Sequence, residues 1–167
     1  MHKGRKTGMT IDQAYRVVLF GHRDFDGHRV LEERLYSLFA SLIRTKSFVE
    51  IYIGRNGEFD LYAASVVKRV QGAMGKHNSE LICVLPYSQK DIECYEKYYD
   101  SVIIPEHIGK THPKGAIAKR NRWMVEEADL FICYVEREEG GAYAALKYAK
   151  KLGKKIINIA QNDDEFI

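Results

Sequence analysis

Short apolar runs punctuate this chain at near-regular intervals. Tyr15–Phe20 ends at Gly21, and comparable runs occupy Phe48–Ile53, Glu80–Leu85, Ser101–Ile104, Leu130–Val135 and Lys155–Ile159. Runs of four to six apolar residues bounded by turn residues read as strands buried on both faces. Between the first two lie Val30, Leu31, Leu35, Leu38, Phe39, Leu42 and Ile43, a three-to-four-residue spacing that marks one face of a helix. The same spacing predicts helices at about Glu58–Met74, Lys90–Tyr98, Gly115–Glu127 and Gly141–Leu152, the last stopped by Gly153. Tyr95, Tyr98 and Tyr99 are expected on a polar, peripheral helix. Strand and helix alternate throughout. The expected fold is therefore α/β, a Rossmann-like, doubly wound, mostly parallel sheet of about six strands with helices on both faces.

Length and composition agree with one domain. The 167 residues are 46% hydrophobic and 29% charged, enough to bury a core without disulfides or metal. Residues 14–162 are expected to form that domain, with 1–13 a flexible basic arm and 163–167 an acidic tail. No run of about 18 apolar residues and no signal-peptide core are present, which argues for a cytoplasmic protein with no membrane partner. Cys83, Cys94 and Cys133 lack metal-ligand spacing, and two of them sit inside apolar runs as small hydrophobes. No metal and no cofactor are expected. A net charge of +3, spread along helices and loops, gives little support to a dedicated nucleic-acid surface. The wide apolar face of Leu31–Ile43 makes a homo-oligomer an option.

Open parallel sheets bind ligands beyond the carboxyl ends of their strands, where helix N-termini present unpaired amides. Three loops there stand out: Gly21-His22-Arg23-Asp24-Phe25 after the first strand, Gly54-Arg55-Asn56-Gly57-Glu58-Phe59-Asp60 after the second, and Glu138-Glu139-Gly140-Gly141 after the fifth. Gly54, Gly57, Gly140 and Gly141 suit a close backbone approach to an anion at a helix start. Arg23 suits a two-point grip on phosphate, and His22 suits donation or proton transfer. Arg120 and Arg122 can aim at the same anion, or one of them is a solvated helix charge. Arg55 and Asn56 complete the expected ligand-binding set. Glu58 and Asp60 are the candidate catalytic carboxylates, suited to sugar hydroxyls or to N-glycosidic cleavage; the alternative is that they cap the helix.

These motifs together resemble one family. Gly21-His22-Arg23, Gly54-x-x-Gly57-x-x-Asp60, Arg120-Asn121-Arg122-Trp123-Met124 with Ala128-Asp129, and Gly140-Gly141 before an Ala-rich helix are similar to the SLOG superfamily (Smf/DprA-LOG), in its YpsA-like branch. The resemblance implies a Rossmann-like fold and a small-molecule nucleotide derivative as partner, a nucleoside phosphate or ADP-ribose-like ligand bound in a sensory or regulatory role. It also implies two alternatives: a nucleoside 5'-monophosphate N-glycosidic hydrolase or deoxyribosyltransferase-like enzyme, and a DNA-associated protein of the DprA kind. The P-G-G-x-G-T-x-x-E motif of the LOG hydrolases is replaced here by Glu138-Glu139-Gly140-Gly141-Ala142-Tyr143.

Overall fold

A computed structural model of the protein describes residues 14–55, 57–106, 108 and 112–161. The expected arm at 1–13, the tail at 163–167 and Asn56 lie outside the described residues. Six strands alternate with five helices: β1 (Tyr15–Gly21), α1 (Arg29–Thr45), β2 (Val49–Ile53), α2 (Glu58–Met74), β3 (Ser79–Val84), α3 (Ile92–Tyr98), β4 (Ser101–Ile103), α4 (Pro113–Glu127), β5 (Leu130–Tyr134), α5 (Gly140–Lys151) and β6 (Lys155–Asn158). They form one sheet in the order β4-β3-β2-β1-β5-β6. Every pair is parallel, with Val17 opposite both Ile51 and Leu130. The chain runs outward from β1 to β4, then crosses back to place β5 on the free side of β1.

Alternate residues of β1 sort the core into two layers. Val17 and Leu19 pack with α1, α2 and the α3 tyrosines, whereas Val18 and Phe20 pack with α4 and α5. This is why the strands read as continuous apolar runs: both faces are covered. Phe20 stacks on Phe131 at 5.2 Å within the second layer. Cys83 and Cys133 are buried in β3 and β5, where desolvation pushes both thiols up to about 12. A buried thiol with that proton affinity is inert packing.

Three details depart from the sequence reading. Helix α4 begins two residues early, at Pro113, because His112 caps it through Nδ1 accepting from Lys114 N (3.3 Å), and proline fits the first helical turn, which needs no amide donor. Tyr95 and Tyr99 are buried, not peripheral, since α3 leans on the first core layer. The apolar face of α1 is consumed within the protein by the sheet and α2, which removes the argument it offered for self-association; Val30 alone of that set stays exposed. No helix among the described residues is long and apolar enough to cross a membrane.

Candidate functional site

The reversal in strand order opens a crevice between the carboxyl ends of β1 and β5. A cavity of about 550 Å³ lies there, within the size range of small-molecule sites. It is built from four stretches of chain: the β1–α1 loop, the start of α2, one face of α4, and the β5–α5 loop.

Gly21, His22, Arg23, Gly54, Gly57, Asp60, Arg120, Gly140 and Gly141 all line this cavity. The paired glycines therefore stand on one rim, at two helix starts. The N-cap of α2 is Gly57 and that of α5 is Glu139, and neither residue makes a side-chain cap bond. Gly140 has φ +88°, a left-handed conformation that favours glycine and turns the chain into α5. Gly54 and Gly57 are small for a different reason. A Cβ on Gly57 would lie 2.6 Å from Arg23 Cα, and one on Gly54 would lie 2.8 Å from Arg120 Nη1 and 3.2 Å from Asp60 Oδ2. The close approach these glycines allow is therefore first to the protein's own loop and guanidinium. One α2 amide is used in the same way, Glu58 N donating to Arg23 O at 2.8 Å.

Arg55, Glu58 and Arg122 lie off the cavity lining. In a helix, residues two apart sit about 200° apart around the axis, so neither Arg120 with Arg122 nor Asp60 with Glu58 can share a face. Arg122 rests over the Tyr148 ring at 5.0 Å. The Glu58 carboxylate accepts from Phe25 N at 3.3 Å, tying the β1–α1 loop to α2. Arg55 lies over the Tyr95 ring at 4.2 Å. Of the two candidate catalytic carboxylates, then, only Asp60 reaches the cavity.

Arg120 is the unusual group, a guanidinium only 3% exposed. Nη1 donates to Val84 O (2.8 Å) and Nε to Asn121 Oδ1 (2.9 Å). Burial pulls its pKa down, while the neighbouring Asp60 carboxylate favours its charged form. Ile117, Arg120, Asn121 and Met124 form one helical stripe facing the cavity, apolar at both ends and charged in the middle.

His22 is 5% exposed, and its Nε2 accepts from Glu136 N (3.0 Å) and Arg137 N (3.2 Å). An acceptor Nε2 requires the neutral ring. Its part in the described structure is thus to hold the β5–α5 loop against β1. Asn158 holds the same loop from β6, Oδ1 accepting from Val135 N and Nδ2 donating to Val135 O. Desolvation, followed by the Arg137 charge, lowers the His22 pKa. A lowered native value means the unfolded chain binds more protons, so this contribution to stability is complete above the unfolded pKa of about 6.5 and is lost as pH falls below it. The melting temperature is expected to drop between pH 7.5 and pH 5, and to drop less in His22→Gln; equal slopes in the two proteins would refute this role.

The sequence reading missed Arg137 and took Asp24 and Glu139 only as members of their loops; all three also line the cavity. Arg137 donates through Nη1 to Asp24 Oδ2 (2.9 Å) and through Nη2 to Asp24 Oδ1 (2.8 Å), a two-point ion pair joining the loops after β1 and β5. It holds the Asp24 carboxyl down to about 2. The available signal was positional: Asp24 and Arg137 each lie three residues beyond the end of a strand flanking the crevice. Among the described residues no group of three or more His, Cys, Asp or Glu side chains gathers to hold a metal.

No protein-family model matches this chain, and no curated protein matches it. Solved structures do. DNA processing protein A from Helicobacter pylori, described in a single-stranded DNA binding mode, has a TM-score of 0.60 at 18% identity over 87% of this chain. The same protein from Streptococcus pneumoniae has a TM-score of 0.61 at 15% identity over 85% of this chain. The chain spans 65% and 49% of those two proteins. The molybdenum cofactor carrier protein of Chlamydomonas reinhardtii has a TM-score of 0.53 at 13% identity, covering 85% of this chain and 74% of its own. At such identities the likeness is one of architecture: the chain has a Rossmann-like α/β fold of the kind found in DNA processing protein A.

Proposed function

We propose that the cavity between β1 and β5 binds a nucleotide-derived small molecule, a nucleoside phosphate or an ADP-ribose-like compound, in a sensory or regulatory role. The observation that carries this reading is the convergence on one cavity of the buried Arg120 and two helix starts whose N-cap residues make no side-chain cap bond. Helix N-termini and guanidinium groups favour phosphate. The same wall holds Arg23, Arg120 and Arg137 against Asp24, Asp60 and Glu139. Equal numbers of each sign suit a ligand with a phosphate at one end and ribose hydroxyls at the other, because carboxylates accept from hydroxyls and repel a polyanion. The superfamily resemblance supports the same ligand class.

Binding is preferred to N-glycosidic cleavage because Glu58 is engaged with Phe25 N and only Asp60 of the candidate pair lines the cavity. A second reading, single-stranded DNA, is favoured by the architectural likeness to the Helicobacter protein. Titrations with AMP, ADP-ribose, NAD and a cyclic dinucleotide, followed by calorimetry and thermal unfolding, separate the readings. At a hundredfold excess over Kd a ligand is expected to add about 2.7 kcal/mol to stability. Silence from every nucleotide, with salt-sensitive binding of an oligonucleotide, would replace the first reading by the second.

A further inference from the structure

Asp24 and Arg137 form a complete carboxylate–guanidinium fork at the edge of the cavity, with both donors and both acceptors engaged. A carboxylate and a phosphate present the same feature to an arginine, two oxygens spaced to meet two parallel N–H groups. The pair therefore shows that Arg137 is oriented for an anion on the cavity wall, and that the chain supplies one itself. We infer that Arg137 is a ligand-phosphate grip of this cavity and that Asp24 is its internal competitor, displaced when the anion binds. This rests on the small-molecule reading above and adds the residue that selects for charge.

The surroundings make the exchange inexpensive on one side and orderly on the other. The Asp24 side chain is 80% exposed and can turn into water without desolvation cost. Exposed ion pairs of this kind contribute little, so little is lost when the pair opens. The Arg137 backbone does not depend on Asp24 for its position. Its backbone N–H is held by His22 Nε2 at 3.2 Å, and its side chain is half as exposed as that of its partner, at 39%. When the carboxylate leaves, the guanidinium remains tethered beside the wall by that backbone. A neutral nucleoside brings no anion to take the place of Asp24, so the competitor discriminates against unphosphorylated ligands.

The test is a four-protein cycle of wild type, Asp24→Ala, Arg137→Met and the double variant, titrated calorimetrically with AMP and with ADP-ribose. Asp24→Ala is expected to bind two- to five-fold more tightly, the equivalent of an exposed ion pair removed from the competition. Arg137→Met is expected to bind at least about tenfold more weakly, and the double variant to match it. Binding by Asp24→Ala where wild type shows none would support the proposal equally. If Asp24→Ala tightens binding as much in the Arg137→Met background, the gain is general charge and the competitor role falls. If Asp24→Ala weakens binding, the pair is only a staple between loops. If all four bind alike, the cavity reading stands and the role of Arg137 is overturned; if none binds either probe, both fall together.

Discussion

Phe59→Ala is expected to lower the free energy of unfolding by about 3–5 kcal/mol, as for other fully buried aromatic truncations. Phe59 is the second residue of α2 and is 0% exposed. Its ring meets Phe25 edge-on at 5.2 Å and lies nearly parallel to Tyr134 at 6.3 Å, so it joins the β1–α1 loop to the end of β5. It also fills the space beside Gly21, where a Cβ would fall 2.1 Å from Phe59 Cγ. Gly21→Ala should itself cost about 1–3 kcal/mol through overpacking. The two effects must couple, because the alanine methyl and the ring compete for one volume. In the Phe59→Ala background, Gly21→Ala is expected to cost much less. Urea unfolding of the two single variants and the double variant measures this coupling, and simple additivity would show that the ring and Gly21 do not meet.

Arg120→Met is expected to reduce nucleotide affinity by about 10- to 100-fold while changing stability much less than Phe59→Ala does. A hydrogen bond to a charged group is worth about 1.5–3 kcal/mol, and the guanidinium is nearly excluded from water, where its field is least screened. Folding is less sensitive than in Phe59→Ala because methionine, a long apolar replacement, keeps the volume filled, so the loss is that of the donor to Val84 O. Arg120→Lys should fall between the two, since a point charge in place of the fork cannot serve Val84 O and Asn121 Oδ1 together. Calorimetry with AMP beside a melting curve separates affinity from stability. Wild-type affinity in Arg120→Met would remove Arg120 from the ligand contacts.

The element order was legible because its signals are local. Each strand is a continuous apolar run, and Leu31, Leu35, Leu38, Phe39, Leu42 and Ile43 repeat at helical spacing and are buried as read. The glycine loops were legible for the same reason, each lying just past a strand end. What the sequence reading left open was angular. Arg122 and Glu58 were grouped with Arg120 and Asp60 by nearness in sequence, although a helical step of two turns a side chain to the other side. Ile117, Asn121 and Met124 follow from Arg120 once the period of 3.6 is applied to the cavity face as well as the core. Asp24 and Arg137 were not legible as a pair, because they stand 113 residues apart and only the pairing of β1 with β5 brings them together.

That pairing has a consequence for how the protein comes into being. Strands β1 to β4 pair with their sequence neighbours and share the larger buried layer with α1 and α2, so most of that half can assemble as the chain emerges. The crevice cannot. Its second wall is β5 and the loop behind it, which follow β1 to α4 in the chain and must slot back beside β1. A ligand for this crevice therefore acts only on chains that have been translated through α5, and rewards the final docking step rather than the early ones.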